Sequence, residues 1–183
     1  ADAKANAEAT QFATGSGSAP HGIVTDVTAI TASRVAPTTG GVFGAVDLFK
    51  VHAALPARYR RGGTSRAWMM SVNVIDTVRQ FATSNVYFAF LRDMTGGQPP
   101  ELIGDPLIEA STMSTSITTG QNILLYGDFN RFLIIDRVGI STEFIPNVFD
   151  QASGRPSGTR AWLMHWRFGS GIADAAAFRV LLL

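Results

Sequence analysis

There is no cysteine in this 183-residue chain, which removes disulfides, thiolate metal sites and cysteine nucleophiles together. Charge is scarce as well. Charged residues are 16% of the total, and 15 basic against 14 acidic side chains leave a net charge of +1. A dedicated nucleic-acid binder displaces counterions with a basic stripe, and a near-neutral chain does not supply one. No apolar run approaches the roughly 20 residues that a membrane-spanning helix needs. Ala1-Asp2-Ala3-Lys4-Ala5 lacks the apolar stretch of a signal peptide. The first residue is not Met, so the expected start is a processing site, a proteolytic nick or an engineered boundary.

Reactive groupings are equally sparse. His21, His52 and His165 lie far apart, and none has metal-ligand spacing to another His or to a carboxylate pair. No serine has the Gly-x-Ser-x-Gly context of a nucleophile elbow. A triad assembled from distant segments stays open as an alternative, because such triads converge in space. Gly15-Ser16-Gly17-Ser18 imitates a phosphate loop. The dinucleotide fingerprint, however, needs a glycine where Pro20 stands, and it follows a strand, not a helix-forming segment. The composition thus predicts no cofactor and no metal.

What the chain does contain is apolar surface: 46% of its residues are hydrophobic. So much apolar area over so few charges implies a sizeable core and contacts between subunits. Residues 1–13 are helix formers, and the Gly-Ser-Pro run after them ends the helix. A Thr- and Ala-rich segment, expected to be extended, reaches Gly41. The next helix begins near Val42, with Val42, Val46, Phe49 and Ala53 on one stripe, and must stop near Pro56. Residues 57–66 form a basic loop, and Ala67 to Val72 is a buried strand. Asn73 is the expected N-cap of a helix carrying Val74, Ile75, Val78, Phe81 and Ala82.

Strand and loop propensities then take over. Val86 to Leu91 reads as extended, Met94 to Pro100 as a loop, and Leu102 to Ala110 as a strand interrupted at Gly104-Asp105-Pro106. The apolar run Ile123-Leu124-Leu125-Tyr126 meets a Gly127-Asp128 corner. A second run, Phe132 to Ile135, closes on Asp136-Arg137-Val138-Gly139 and is followed by Ile140 to Ile145. Thr159 to Phe168 alternates, with Trp162, Met164, Trp166 and Phe168 on one face, and predicts a half-buried strand. Ala177 to Leu183 closes the chain as another strand. Two helices among strands without a βαβ repeat indicate the α+β class.

Several segments carry a resemblance. Ile123 to Gly139 is similar to the "ILFGDFxxYxIxDRxG" signature of the major capsid proteins of tailed bacteriophages. Phe12 to Ile23 resembles that family's helix-ending "GxGxxxPxGI" turn. Tyr59-Arg60 before Ala67-Trp68-Met69-Met70-Ser71 resembles "YR…A.W.MN". Ile103-Gly104-Asp105-Pro106-Leu107 resembles "LLGxPV", and Ala177-Phe178-Arg179-Val180-Leu181 the closing "AFRVLKL". Five segments in the same order cover nearly the whole chain.

The resemblance implies the capsid fold named for phage Hong Kong ninety-seven, with an axial and a peripheral lobe. Residues 1–40 would be the end of the spine helix and its connection. Residues 41–145 would be the axial domain, 146–176 peripheral strands, and 177–183 a strand returning to the axial sheet. It further implies a structural, non-enzymatic subunit of an icosahedral virion shell, assembled in the bacterial cytoplasm into pentamers and hexamers around double-stranded DNA. Its partners would be neighbouring subunits, with scaffold, protease and portal proteins during assembly, and only non-specific proximity to DNA.

Family members carry an N-terminal arm, an extended loop and most of the spine helix ahead of the first residue here. The chain is therefore expected to be a fragment or a degenerate prophage product, monomeric or a small oligomer by itself. Candidate subunit contacts are Arg58, Tyr59, Arg60 and Arg61, and Gly96, Gly97 and Gln98. Two other readings stand beside it: an encapsulin-type shell protein of the same fold, and a hydrolase with a dispersed triad. Nucleic-acid binding through Arg58 to Arg61 is a third.

Overall fold

A computed structural model describes residues 2–61, 65–84, 91–92, 100–152 and 154–183. The chain divides into two compact units, one formed by 1–133 with 170–183 and the other by 134–169.

The larger unit is built on a mixed sheet of seven strands in the order β1-β9-β6-β2-β5-β4-β3. These are β1 (Arg34–Val35), β2 (Arg66–Met70), β3 (Leu91–Arg92), β4 (Glu101–Leu102), β5 (Asp105–Glu109), β6 (Asn122–Asp128) and β9 (Phe178–Leu182). Strand β6 runs antiparallel to both β2 and β9, whereas β1 with β9 and β2 with β5 are parallel pairs. Every residue from Ile123 to Asp128 is buried. A strand covered on both faces needs apolar side chains at successive positions, which is why this run does not alternate.

Among the described residues four α-helices accompany the sheet: α1 (Asp2–Thr14), α2 (Ile23–Ala29), α3 (Ala45–Ala54) and α4 (Val72–Ser84). In α4 the expected period holds, with Val74, Ile75 and Val78 buried and Phe81 packed against the core. The helix starts two residues earlier than expected, at Val72 instead of Val74. The amides of Val74 and Ile75 donate to the Ser71 carbonyl, while Asn73 sits inside the first turn and donates to the Thr115 carbonyl.

The segment expected to be extended after Pro20 contains α2. Its Ile-Val-Thr-Asp-Val sequence has weak helix propensity, but burial of Ile23, Val24 and Val27 overrides it. Helix α3 departs from expectation more sharply. Its buried side is Asp47, Leu48 and Val51, whereas Val46 is 59% exposed and Val42, Phe49 and Ala53 also face outward. Asp47 sets this rotation. One of its carboxylate oxygens accepts from the Thr38 amide and hydroxyl, both at 2.7 Å, and the other from the Gly44 amide at 2.9 Å. A carboxylate placed three residues into a helix, reaching back to the residue before it, satisfies an amide that the helix leaves open. With Asp47 tied inward, Leu48, Val51 and the following Leu55 enter the core, each contributing roughly 1.5–3 kcal/mol.

The smaller unit is carried by a two-stranded sheet of β7 (Phe132–Ile145) and β8 (Ala161–Ile172), whose inner ends belong to the larger unit. The run from Phe132 and the segment Ile140 to Ile145 belong to one strand, β7. The half-burial expected for β8 holds at Trp166 and Phe168 and fails at Trp162 and Met164. Trp162 is 68% and Met164 60% exposed, since the described residues of this unit provide no second layer to bury them.

Candidate functional site

The corner at Gly127-Asp128 closes β6 ahead of β7, and its geometry explains both residues. Gly127 pairs with Phe178 across β6 and β9. A Cβ at Gly127 would meet the Ala177 carbonyl oxygen at 2.4 Å and the Phe178 ring at 2.5 Å. Only glycine admits this approach. Asp128 is buried, and its carboxylate accepts from the Ser65 amide at 3.1 Å and the Asn130 amide at 3.2 Å. It therefore ties the start of β2 to the short 3₁₀ turn Phe129–Arg131 that launches β7.

Beside the corner lies a buried polar cluster. Tyr126 stacks on Trp68 with ring centres 4.1 Å apart and donates its hydroxyl to Asp105 at 2.6 Å. The other Asp105 oxygen pairs with Arg66 at 3.0 Å. Burial, and then the bond to Asp105, push the Tyr126 hydroxyl well above the ordinary tyrosine range. The His52 ring leans on Tyr126 with centres 5.6 Å apart; its own pKa is lowered by burial first and by nearby Arg60 second.

A second polar post supports the basic loop. Tyr59 donates to Asp174, Arg58 pairs with the same carboxylate at 3.5 Å, and the Arg58 guanidinium lies 4.5 Å from the centre of the Tyr59 ring. The bond from Tyr59 holds the Asp174 carboxyl below its usual range, while burial pushes the Tyr59 hydroxyl up. The sign follows for each group. A depressed carboxyl contributes stability above its unfolded value of 3.8, lost as pH falls; a raised phenol contributes below 10.0, lost as pH rises. The stability gap between the wild type and Tyr59→Phe is therefore expected to be widest between about pH 5 and 9 and to narrow at both extremes. Thermal melts of both proteins from pH 3 to 11 check this, and a gap independent of pH would contradict it.

The terminal strand carries Arg179, buried within the core. It donates to the Ala54 carbonyl at the end of α3 at 3.0 Å and to the Ala176 carbonyl at 3.1 Å. A guanidinium there satisfies a helix-end carbonyl and opposes the negative end of the helix dipole. The glycine turn after α1 is a close crossing of two strands of chain. The Gly22 amide donates to the Gly15 carbonyl at 2.9 Å, and a Cβ on Gly22 would meet the Gly15 nitrogen at 2.4 Å. The turn binds the chain to itself and leads directly into α2, whose N-cap is Gly22.

Of the candidate contact residues, Tyr59 is buried and buttresses its own loop, so its ring is not a surface contact. Its apolar ring is the natural filler beneath a loop of arginines, which the sequence pattern alone does not distinguish from an exposed aromatic. Arg58, Arg60 and Arg61 are exposed, with Arg58 engaged by Asp174. Gly96, Gly97 and Gln98 lie outside the described residues. The residues that organise the region, Asp105, Arg66, Asp47 and Arg179, were not singled out by type or spacing. For Asp47 and Arg179 the signal is a charged side chain inside an otherwise apolar element.

The histidines lie in three different settings. His21 pairs with Asp26 at 3.0 Å, His52 stacks on Tyr126, and His165 sits on β8. Among the described residues no serine hydroxyl bonds any of these rings, and no group of three His, Asp or Glu could hold a metal ion. A groove of about 440 Å³ near Thr14, Met113 and Asn122 and an apolar one of about 330 Å³ between α1 and Met69 are not lined by histidine. Among the described residues no helix is long and apolar enough to cross a membrane.

Buried charges thus tie loops to the sheet, and apolar side chains are left outward. The model of the phage capsid family matches residues 1–182, and the chain belongs to that family. It is similar to the capsid chain of an empty GTA particle, at 25% identity and a TM-score of 0.75 over 99% of this chain and 68% of that one. The capsid chain of a native GTA particle gives 24%, 0.76, 99% and 62%. The SrpI encapsulin of Synechococcus elongatus shares the fold, at 13% identity and a TM-score of 0.64, over 99% of this chain and 61% of that one. The chain thus spans about two thirds of the length of these relatives. No curated protein matches it.

Proposed function

We propose that this chain builds the wall of an icosahedral virion shell of a tailed phage or prophage that encloses double-stranded DNA. The observation that carries this reading is the family match across residues 1–182. In this reading the seven-stranded unit is the axial lobe and the β7–β8 ribbon belongs to the peripheral lobe. Neighbouring copies are the principal partners. Scaffold, protease and portal proteins act during assembly in the host cytoplasm, and contact with DNA is non-specific. Arg58, Arg60 and Arg61, held out by the Tyr59 post, are the contacts offered to adjacent subunits.

Expression of the gene with electron microscopy of the purified product tests the reading: closed particles holding nuclease-protected DNA are expected when its phage genes are co-expressed. Particles filled with one protein would instead favour the encapsulin reading, which the shared fold with SrpI supports. Arg60→Glu with Arg61→Glu is expected to lower particle yield at least about tenfold while leaving the thermal midpoint within a few degrees, because exposed charges contribute little to folding. Unchanged yield would remove the loop from the contact.

A further inference from the structure

The groove beside Thr14, Met113 and Asn122 differs from the apolar surface around it. Its volume of about 440 Å³ lies in the range of small-molecule sites, roughly 300–1,000 Å³. None of its described lining residues is charged, and most carry a hydroxyl or an amide. Every wall comes from the larger unit, so one chain suffices to form it.

The walls are held by bonds that leave several of these side chains free. On one side the segment 111–115, which follows β5, is pinned through its backbone. The Met113 amide donates to the Ala110 carbonyl at 3.2 Å, and the Met113 side chain is buried. Ser71 donates its hydroxyl to the Ser114 carbonyl at 2.9 Å, and Asn73 its side-chain amide to the Thr115 carbonyl at 3.4 Å. On the other side the Leu183 amide donates to the Gln121 carbonyl at 3.1 Å, which fixes the approach to β6. By contrast, the Ser111, Thr112 and Thr115 hydroxyls bond to none of the described residues. The Asn122 Oδ1 atom is buried and has no partner among them either. An unpartnered buried acceptor is costly, so a ligand that donates to it is favoured.

The chemistry of that ligand follows from the walls. Without lysine or arginine the groove offers nothing to a phosphate or carboxylate, and without an acid nothing to an amine. Strand addition by a peptide is closed as well, because β6 already lies between β2 and β9. A sugar hydroxyl both donates and accepts, which suits serine and threonine hydroxyls and either end of the Asn122 amide. Val24 and Met113 supply apolar patches for the C–H face of a ring. We infer that this groove binds an uncharged polyhydroxylated ligand, a saccharide of one or two rings, with Asn122 and Thr112 as its principal hydrogen-bonding residues. The site does not depend on how copies of the chain assemble.

Maltose is the probe. Titration calorimetry and saturation-transfer NMR on the purified chain are expected to show binding that saturates below about 50 mM. Asn122→Leu is expected to weaken it at least about tenfold without lowering the urea midpoint, because an apolar side chain there leaves no acceptor unpaired. Thr112→Val, which keeps the side-chain shape, is expected to weaken it at least about threefold. Glucose 1-phosphate and acetyl-alanyl-alanine amide represent the competing chemistries, and each is expected to bind at least about tenfold more weakly than maltose. No saturation with maltose would overturn the proposal and leave a groove that holds only water. Equal affinity in the wild type and both variants would place the sugar elsewhere and overturn it too. Equal or tighter binding of the phosphate or the peptide amide would overturn the choice of an uncharged polyol.

Discussion

Alanine at Gly127 is expected to destabilise the protein by about 4 kcal/mol, the upper range for a single substitution. The added methyl would lie 2.4 Å from the Ala177 carbonyl oxygen and 2.9 Å from the Phe178 Cα. Both are backbone atoms at the start of β9, so no side-chain rotation relieves the overlap. Relief requires β6 and β9 to part, which breaks the pairing of Gly127 with Phe178 and loosens that of Tyr126 with Arg179. The signature contains its own control. A Cβ on Gly139 meets nothing within 4 Å, and its backbone is not in the left-handed region. Gly139→Ala should therefore stay within about 0.5 kcal/mol of wild type. In urea, the Gly127→Ala midpoint should fall by about 2 M and the Gly139→Ala midpoint should barely move. Equal shifts would contradict the close-approach account.

Asp105→Ala is expected to cost about 3–5 kcal/mol, the range for removing one partner of a buried ion pair. The substitution strands two groups at once. Arg66 loses the carboxylate 3.0 Å away, and the Tyr126 hydroxyl, buried against Trp68, loses its acceptor at 2.6 Å. Asp105 also opens β5 directly after the Ile103-Gly104 turn, where both residues have positive φ. Asp105→Asn keeps an acceptor for Tyr126 and removes only the charge, so about half the loss is expected. The two variants separate in chemical denaturation. Equal losses would mean that the charge, and not the hydroxyl acceptor, dominates. An Asp105→Ala protein as stable as wild type would show that the cluster does not hold the sheet.

Much of this architecture is visible from residue order. The unbroken run Ile123 to Tyr126 reads as a strand covered on both faces because successive apolar residues have no other use in an extended chain. Helix α4 is legible from the positions of Val74, Ile75 and Val78, and the stop after α3 from Pro56. The polar posts are less visible. Nothing in the order of residues says that Arg179 reaches Ala54, or that Asp174 takes the hydroxyl of Tyr59. These pairs are separated by 125 and 115 positions, and only the closing of β9 against β6 brings them together.

Local periodicity also misjudges which of two apolar stripes is buried. On α3 both Val46-Phe49-Ala53 and Leu48-Val51-Leu55 are apolar, and the choice falls to Asp47, whose carboxylate needs Thr38 and Gly44. On β8 the alternation is real, yet Trp162 and Met164 stay exposed because alternation records two faces and not what lies over either.

The sequence by itself determined the family, the class, the glycine at the corner and the scarcity of reactive groups, all properties of residue type and order. Only the tertiary structure decided the buried side of α3, the helix at Ile23–Ala29, the inward turn of Tyr59 and the open face of the ribbon. Each of these depends on the groups that lie opposite in space, and a linear pattern does not contain its own partners.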